Sequence, residues 1–233
     1  MDFDKKQLFL GAKAGLPIFL GYSPIAIAFG ALAVQAGLSW SEAGLMSAAV
    51  FAGASQFVSL SMLLTGAGVL QIITATFFLN LRHLIMSLAV NNLFRDFSQG
   101  WKNFLSFFIT DETFALLTLG DSVENQSRRL NPFFAAGLMV TAYSGWVSGT
   151  LVGSLGAELI PASVTTAMTV GLYGLFIGLL VPPVRKSRVF TGIALGAMLL
   201  NTLFSLILSS GWAIVFATVL AAGGGILLLE EQP

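Results

Sequence analysis

Four residues that can carry charge or transfer a proton interrupt two otherwise apolar segments of this sequence. Arg82 and the only histidine, His83, lie in one segment, and Asp111 and Glu112 lie in the next. An ionised side chain at the centre of a membrane helix costs roughly 2.5–3.5 kcal/mol, so three charges facing lipid would cost on the order of 8–10 kcal/mol. The pattern predicts a polar site inside a membrane bundle, one that binds or moves a solute.

A polar stripe runs along the segment that contains His83. Its members, spaced 4, 3, 4 and 4 residues apart, share one face of a helix. The stripe predicts a water-accessible path, and the alternative is a set of hydrogen bonds to a neighbouring helix. Its members are Thr76, Asn80, His83, Ser87 and Asn91.

Arg82 lies about 200° around the helix from Asn80, so it faces away from this stripe. Its expected partner is a carboxylate, and Asp111 and Glu112 are the carboxylates at matching depth. Because adjacent helical residues point about 100° apart, one carboxyl is expected to pair with Arg82 while the other faces a cavity. The alternative is an ion pair with a purely structural role. With His83, the two carboxyls form the predicted proton-coupling group.

The middle of the preceding apolar segment contains Gly53, Ser55 and Gln56. A glutamine at mid-membrane depth needs a polar partner, and free N–H groups near Gly53 would suit an anion. The predicted substrate-binding residues are therefore Gly53, Ser55, Gln56, Asn80, Arg82, Asp111 and Glu112.

The composition is that of an integral membrane protein. Of 233 residues, 56% are hydrophobic and 9% charged, and the mean hydropathy is +0.87, whereas soluble domains carry about 25% charged residues. With a net charge of +0, no nucleic-acid partner is expected. The chain has no cysteine, no phosphate-binding loop and no H-E-x-x-H motif, so we expect no cofactor, no metal and no ATP hydrolysis.

The predicted fold is all-α: one transmembrane transporter domain over 1–233, a polytopic helix bundle of about eight membrane segments. Each segment approaches the roughly 20 apolar residues that a spanning helix needs. Alternatively, the second and fourth segments are broken or re-entrant, which irregular backbone permits where it lines a cavity. The segments are Leu8–Val34, Ala43–Leu64, Val69–Val90, Asn103–Leu119, Pro132–Leu155, Thr166–Val184, Val189–Ser209 and Trp212–Leu229.

Basic residues predict the orientation, because cytoplasmic loops are rich in Lys and Arg. Three basic clusters are separated by even numbers of crossings, which puts both termini in the cytoplasm. Arg95 and Lys102 fall outside in an eight-crossing bundle and inside if the second and fourth segments are re-entrant. The clusters are Lys5, Lys6 and Lys13; Arg128 and Arg129; and Arg185, Lys186 and Arg188.

Small residues at successive i+4 positions form a ridge in the fifth segment, and Gly192 and Gly196 form a shorter one in the seventh. Such ridges predict close helix packing rather than a ligand site. The longer ridge consists of Gly137, Thr141, Gly145, Gly149 and Gly153.

Over roughly 11–184 the chain resembles the AzlC family, the large subunit of branched-chain amino acid exporters that includes the L-valine exporter. The resemblance rests on five motifs in the family's order. They are Gly15-Leu16-Pro17 with Pro24 and Phe29-Gly30; Phe51-Ala52-Gly53-Ala54-Ser55-Gln56-Phe57; Asn80-Leu81-Arg82-His83; Thr110-Asp111-Glu112-Thr113-Phe114-Ala115; and Tyr143-Ser144-Gly145-Trp146.

The resemblance implies export across the cytoplasmic membrane with a small AzlD-type membrane subunit. An amino acid cargo suits the charges: Arg82 or N–H groups near Gly53 for its carboxylate, Asp111 or Glu112 for its ammonium. Without ATP hydrolysis, uphill export needs an ion gradient, and protons suit these residues. The expected pocket walls are Phe51, Phe57, Phe77, Phe107, Phe108 and Phe114.

Two other functions compete with amino acid export. One is transport or conduction of another small solute. The other is an intramembrane serine hydrolase built on Ser55 and His83, disfavoured because Gln56 follows the serine where rhomboid-type proteases have glycine, and because Arg82 would have no role there. We therefore expect that the chain is not an enzyme.

Overall fold

The computed structural model of the chain describes residues 3–123, 130–161, 163, 177, 180–181, 184–185, 187–208 and 210–230. Every regular element within these residues is a helix. The elements are α1 (Phe3–Gln35), α2 (Trp40–Val50), α3 (Gly53–Leu64), α4 (Val69–Leu93), α5 (Gln99–Ser106), α6 (Asp111–Val123), α7 (Pro132–Leu155), a 3-10 turn (Ala157–Leu159), α8 (Arg188–Phe204) and α9 (Ser210–Glu230).

Five of the eight predicted segments correspond to single helices: α1, α4, α7, α8 and α9. The sixth segment, Thr166–Val184, falls largely outside the described residues. The second and fourth are each divided into two helices, as the alternative reading of the sequence expected. Among the described helices, α1 and α4 are long and apolar enough to cross a membrane by length and composition, so eight crossings are not confirmed.

The first break lies between α2 and α3. Helix α2 ends at Val50 and is capped by Phe51, whose backbone is left-handed (φ 39°, ψ 48°) and whose N–H donates to the Ser47 carbonyl. This conformation is uncommon for a bulky residue, so tertiary contacts must hold it. The break falls at Phe51-Ala52, just before the predicted Gly53–Gln56 motif.

The start of α2 is fixed by a capping box. Glu42 N–H donates to the Ser39 hydroxyl, and the Glu42 carboxylate accepts from the Ser39 backbone N–H. The backbone and side-chain hydrogen bonds from Ser39 lower the pKa of this exposed carboxyl, since they favour its charged form. The helix therefore begins at a defined residue.

The second break lies between α5 and α6. Thr110 N–H donates to Thr113 Oγ1 at 2.8 Å, and Thr113 N–H donates to Thr110 Oγ1 at 3.3 Å. This reciprocal arrangement has the form of a capping box with threonine in both positions. Thr113 also donates to the Phe108 carbonyl at 3.1 Å, so the threonine pair ties the connecting turn to the first turn of α6.

The chain divides into two compact units, and the first comprises Met1–Gln56 and Leu81–Met168. Its most extensive contact is between α1 and α7. Gly15 lies against Leu138 and Gly30 lies against Thr150, so residue numbers rise together and the two helices run parallel. Their N-terminal ends therefore lie on the same side of the bundle, as the charge pattern expected for the first and fifth segments.

Glycines make this parallel contact possible. A Cβ atom at Gly15 would lie 2.5 Å from the Leu138 carbonyl oxygen, and one at Gly145 would lie 2.9 Å from Phe19 Cα. Gly137, Gly149 and Gly153 also face α1 at distances that leave no room for a side chain. The predicted packing role of the α7 ridge is confirmed.

The second unit comprises Phe57–Asn80 and Thr169–Pro233. Helices α8 and α9 pack against each other. A small core surrounds Met62 and Ala75, and Trp212 of α9 packs against it. The prediction of close packing at Gly192 and Gly196 is not supported, because no described atom lies within 4 Å of a Cβ placed at either position.

We expect Gly145→Ala to destabilise the protein by about 1–3 kcal/mol, because the added methyl group would overlap the backbone of α1. Gly21→Ala is the matched control: it lies in α1 at a position where no described atom comes within 4 Å of an added Cβ. Thermal unfolding of the purified protein in one detergent compares the two. Equal loss of stability in both variants would contradict the close contact.

Candidate functional site

Residues at both helix breaks contact side chains of α1 and α7. Tyr143 of α7 packs its ring against Phe51 at the first break (5.0 Å between centroids) and against Phe107 and Phe108 at the second (5.9 and 5.2 Å). Its hydroxyl donates to the Ala48 carbonyl at 2.9 Å. Both breaks thus lie on one side of the α1–α7 scaffold.

Tyr22 of α1 is the second shared contact. Its ring meets Phe51 edge-on at 6.2 Å and Trp146 edge-on at 5.6 Å. Its hydroxyl hydrogen-bonds to Thr110 Oγ1 at 2.8 Å and to the Glu112 carboxylate. Because a phenol has one hydrogen and a carboxylate can only accept, the phenol donates to Glu112 when that carboxyl is ionised and then accepts from the Thr110 hydroxyl. Tyr22 therefore connects the first break to the second.

Arg82 forms an ion pair with Asp111, with 2.5 Å between Nη1 and Oδ2. The side chains are 30% and 25% exposed, so the pair is half-buried rather than sealed. Of the two carboxyls that the sequence offered as partners, the structure pairs Arg82 with Asp111. Glu112 points instead to Tyr22, as expected if adjacent residues leave a helix in different directions.

The formal charges of this cluster do not cancel. Asp111 and Glu112 occupy the first turn of α6, where the helix dipole stabilises negative charge. With both carboxyls ionised, Arg82 leaves the cluster one negative charge. A cluster of that sign suits a cation or an ammonium group.

Gln56 is the centre of a buried hydrogen-bond network. Trp146 Nε1 donates to Gln56 Oε1 at 2.8 Å, and Gln56 Nε2 donates to Ser47 Oγ at 2.9 Å. Ser47 Oγ in turn lies 2.7 Å from Thr150 Oγ1. Gln56, Ser47 and Thr150 are fully buried. In this conformation the Gln56 amide joins α2, α3 and α7, and its predicted contact with substrate stays a prediction.

Gly53 and Ser55 support the same junction. A Cβ at Gly53 would lie 2.5 Å from the edge of the Trp146 indole, so glycine lets the ring pack at the start of α3. Ser55 is buried and donates to the Ala52 carbonyl at 3.1 Å. Their predicted roles in binding substrate are untested.

The remaining predicted residues lie on α4. His83 follows Arg82 in the first unit and is half-buried, whereas Asn80 belongs to the second unit. Thr76 of the polar stripe bonds its own helix, donating to the Ile72 carbonyl at 2.7 Å, and Asn91 accepts from Lys102 at 3.5 Å. These contacts do not decide between a water-accessible path and hydrogen bonds to a neighbouring helix, and the proton path stays a prediction.

Sequence reasoning missed Tyr22 as a site residue and gave Tyr143 and Trp146 no role beyond the family motif. The signal for Tyr22 was a single tyrosine in the largely apolar first segment, between Pro17 and Pro24. Of the expected pocket walls, Phe51, Phe107 and Phe108 join the aromatic cluster at the breaks. Phe77 belongs to the second unit and is largely exposed.

No group of three or more histidine or acidic side chains able to hold a metal occurs in the part of the chain that the structure describes. What the site offers is a guanidinium, two carboxylates, several hydroxyls and an aromatic wall. This chemistry can bind a small charged solute, and it includes groups able to take up a proton.

The sequence matches a known protein family and several known proteins. A family model described as AzlC protein matches residues 17–160. A protein of Archaeoglobus fulgidus named "Uncharacterized membrane protein" is 34% identical over 82% of this chain and 82% of its own. Inner membrane protein YgaZ of Escherichia coli K12 is 31% identical over 84% of this chain and 82% of its own.

A more distant relative has a functional name. The branched-chain amino acid transport protein AzlC of Bacillus subtilis 168 is 26% identical over 93% of this chain and 82% of its own. No solved structure matches the chain. Since relatives covering most of the chain are named membrane proteins, this chain is a membrane protein, as its composition predicted.

We expect Arg82→Gln to destabilise the protein by about 1–3 kcal/mol, because Asp111 is left half-buried without its counter-charge. Adding Asp111→Asn should recover most of this loss, since no lone charge remains. The control is Arg82→Gln with Glu112→Gln, which should recover none. Protein yield and thermal unfolding distinguish the two double variants. Recovery by Glu112→Gln instead would contradict the observed pairing.

Proposed function

The chain belongs to the AzlC family, and on this basis we propose that it exports amino acids across the cytoplasmic membrane as a secondary-active transporter. We further propose a branched-chain cargo such as L-valine and coupling to protons. The observation that carries the proposal is the family match, joined to a cluster of opposite charges at the junction of two broken helices. Broken helices of this kind form the substrate sites of many transporters.

The cluster has the charges that an amino acid zwitterion requires. The Arg82 guanidinium can bind a carboxylate through two parallel hydrogen bonds, and Asp111 or Glu112 can accept from an ammonium. Phe51, Phe107 and Phe108 surround Tyr143, and Phe51 also packs on Tyr22, whose hydroxyl bonds Glu112. These rings would supply an apolar surface for a branched side chain. Cargo binding would then compete with the Arg82–Asp111 ion pair.

Proton coupling follows from the same residues. Export against a gradient needs a group that takes a proton on one side and releases it on the other, and His83, Asp111 and Glu112 are the candidates. Asp111 is held by Arg82, whereas Glu112 is held by a neutral phenol. Protonating Asp111 would remove the counter-charge of Arg82, whereas protonating Glu112 would leave that ion pair intact. This difference favours Glu112 as the proton carrier.

We propose that the partner is a small AzlD-type membrane subunit and that both termini are cytoplasmic. The parallel arrangement of α1 and α7 supports the cytoplasmic position of the N-terminus, because basic residues flank the N-terminal ends of both helices. As a member of a transport family, the chain is not expected to be an enzyme. The buried Ser55 hydroxyl, bonded to the Ala52 carbonyl, also does not favour a serine hydrolase. Another small solute is the remaining alternative cargo.

Transport is tested with protein in liposomes, with and without the small subunit, against a panel of labelled amino acids. We expect counterflow of branched-chain amino acids and uphill movement driven by a proton gradient. Glu112→Gln should abolish the uphill component and keep downhill exchange, because a neutral amide cannot exchange a proton. His83→Ala and Asp111→Asn are measured alongside. If all three variants concentrate cargo as well as the parent protein, proton coupling through these residues is wrong.

Orientation is tested by single cysteines introduced into this cysteine-free chain. We expect Ser127→Cys and Ser187→Cys to resist an impermeant thiol reagent applied outside the cell, and Ser39→Cys to react, because basic loops stay in the cytoplasm. Gln99→Cys distinguishes the two topologies: external labelling indicates eight crossings, and protection indicates re-entrant segments. Strong external labelling at Ser187→Cys would overturn the orientation.

A further inference from the structure

We propose that Tyr22 is a positioning residue that latches the first turn of α6 to the α1–α7 scaffold by holding the Glu112 carboxylate, and that this latch opens during the transport cycle. The inference rests on the proposed function, since it gives a transporter one of its moving contacts. It concerns a residue of α1 that does not belong to the charged cluster itself.

The ring of Tyr22 is fixed by packing. It is 6% exposed, lies edge-on to Trp146, and also meets Phe51. Trp146 is held in turn by the buried Gln56 amide. A ring confined in this way cannot turn freely, so its hydroxyl presents one fixed point to α6.

The Tyr22 hydroxyl bonds two residues at the start of α6. It bonds Glu112 in the first helical turn and Thr110 just before it. Thr110 is paired with Thr113 by the reciprocal cap. One phenol therefore fixes both the carboxylate and the turn that begins the helix.

Among the described residues, helix α6 comes close to the backbones of α1 and α7 at few positions. It contacts α1 and α7 far less extensively than those two helices contact each other. When Glu112 is ionised, its bond to the phenol is charge-assisted and stronger than a neutral hydrogen bond. When Glu112 takes a proton, that advantage is lost, and the start of α6 is released from α1.

The test is hydrogen–deuterium exchange of the purified protein in lipid nanodiscs without cargo. Tyr22→Phe keeps the ring and removes the hydroxyl. Exchange of the amides within 107–116 should rise about tenfold, as expected for loss of a hydrogen bond to a charged group. Glu112→Gln should raise exchange in the same segment, and the double variant should not exceed Tyr22→Phe alone, since both changes remove one interaction.

Tyr143→Phe is the matched control, because it also removes one tyrosine hydroxyl from the aromatic cluster. That hydroxyl bonds the Ala48 carbonyl, so exchange should rise near the end of α2 and stay unchanged within 107–116. Unchanged exchange of 107–116 in Tyr22→Phe would overturn the latch, as would additive effects in the double variant. If Tyr22→Phe does not fold, absence of local loosening in Glu112→Gln also overturns it.

A transport readout separates positioning from packing. Tyr22→Phe should change the maximal rate of cargo transport several-fold. The half-saturating cargo concentration should stay within about twofold, because the phenol does not contact cargo. Amide hydrogen exchange measured without cargo does not depend on which solute the protein transports. Loosening of 107–116 in a protein that moves no amino acid would refute the proposed function and leave the latch, whereas normal transport with an unchanged segment would refute the latch alone.

Discussion

The close parallel contact of α1 and α7 is the interaction on which the described site depends. Glycines on both helices let their backbones approach so closely that a single methyl group would force them apart. Packing of this kind is the main source of helix association in a lipid environment, where apolar burial between helices contributes little. The contact also positions Tyr22, Tyr143 and Trp146. Residues at the two helix breaks pack against these three side chains. A shift of one helix along the other would therefore displace the charged cluster.

Two kinds of polar group surround this contact, and they differ in how firmly they are held. Gln56, Ser47 and Thr150 are fully buried and bonded to one another or to Trp146, so separating them would expose unsatisfied groups to an apolar medium. Arg82 on α4 and the two carboxyls at the start of α6, Asp111 and Glu112, are half-buried. The first set is suited to maintain the α2–α3 junction, and the second set is suited to exchange partners. This division matches what a carrier requires: a stable frame beside a small group of exchangeable contacts.

The sequence predicted the frame better than the site. The regular spacing of glycines identified the close face of α7, and matching depth identified Asp111 and Glu112 as candidate partners of Arg82, because both are local properties of a helix. The breaks at Phe51 and at 107–110 were expected only as an alternative, since hydropathy is continuous across them and the left-handed Phe51 carries no glycine signal. Tyr22 was missed because its partners are about 90 residues away in the sequence, and no periodicity within α1 indicates such a contact.

The buried Ser47–Thr150 hydrogen bond has a consequence for how the protein is made. Its two residues are 103 positions apart, and a ribosome adding about 5–20 residues per second needs on the order of ten seconds to pass from one to the other. During that interval α1, α2 and α3 have been synthesised while α7 has not, so the glycine face of α1 and the Gln56 carbonyl oxygen lack the partners that α7 supplies. The newly made N-terminal half must wait in the bilayer or be sheltered by the insertion machinery. Slowing elongation between these positions should therefore lengthen the period in which the unfinished chain is open to proteolysis.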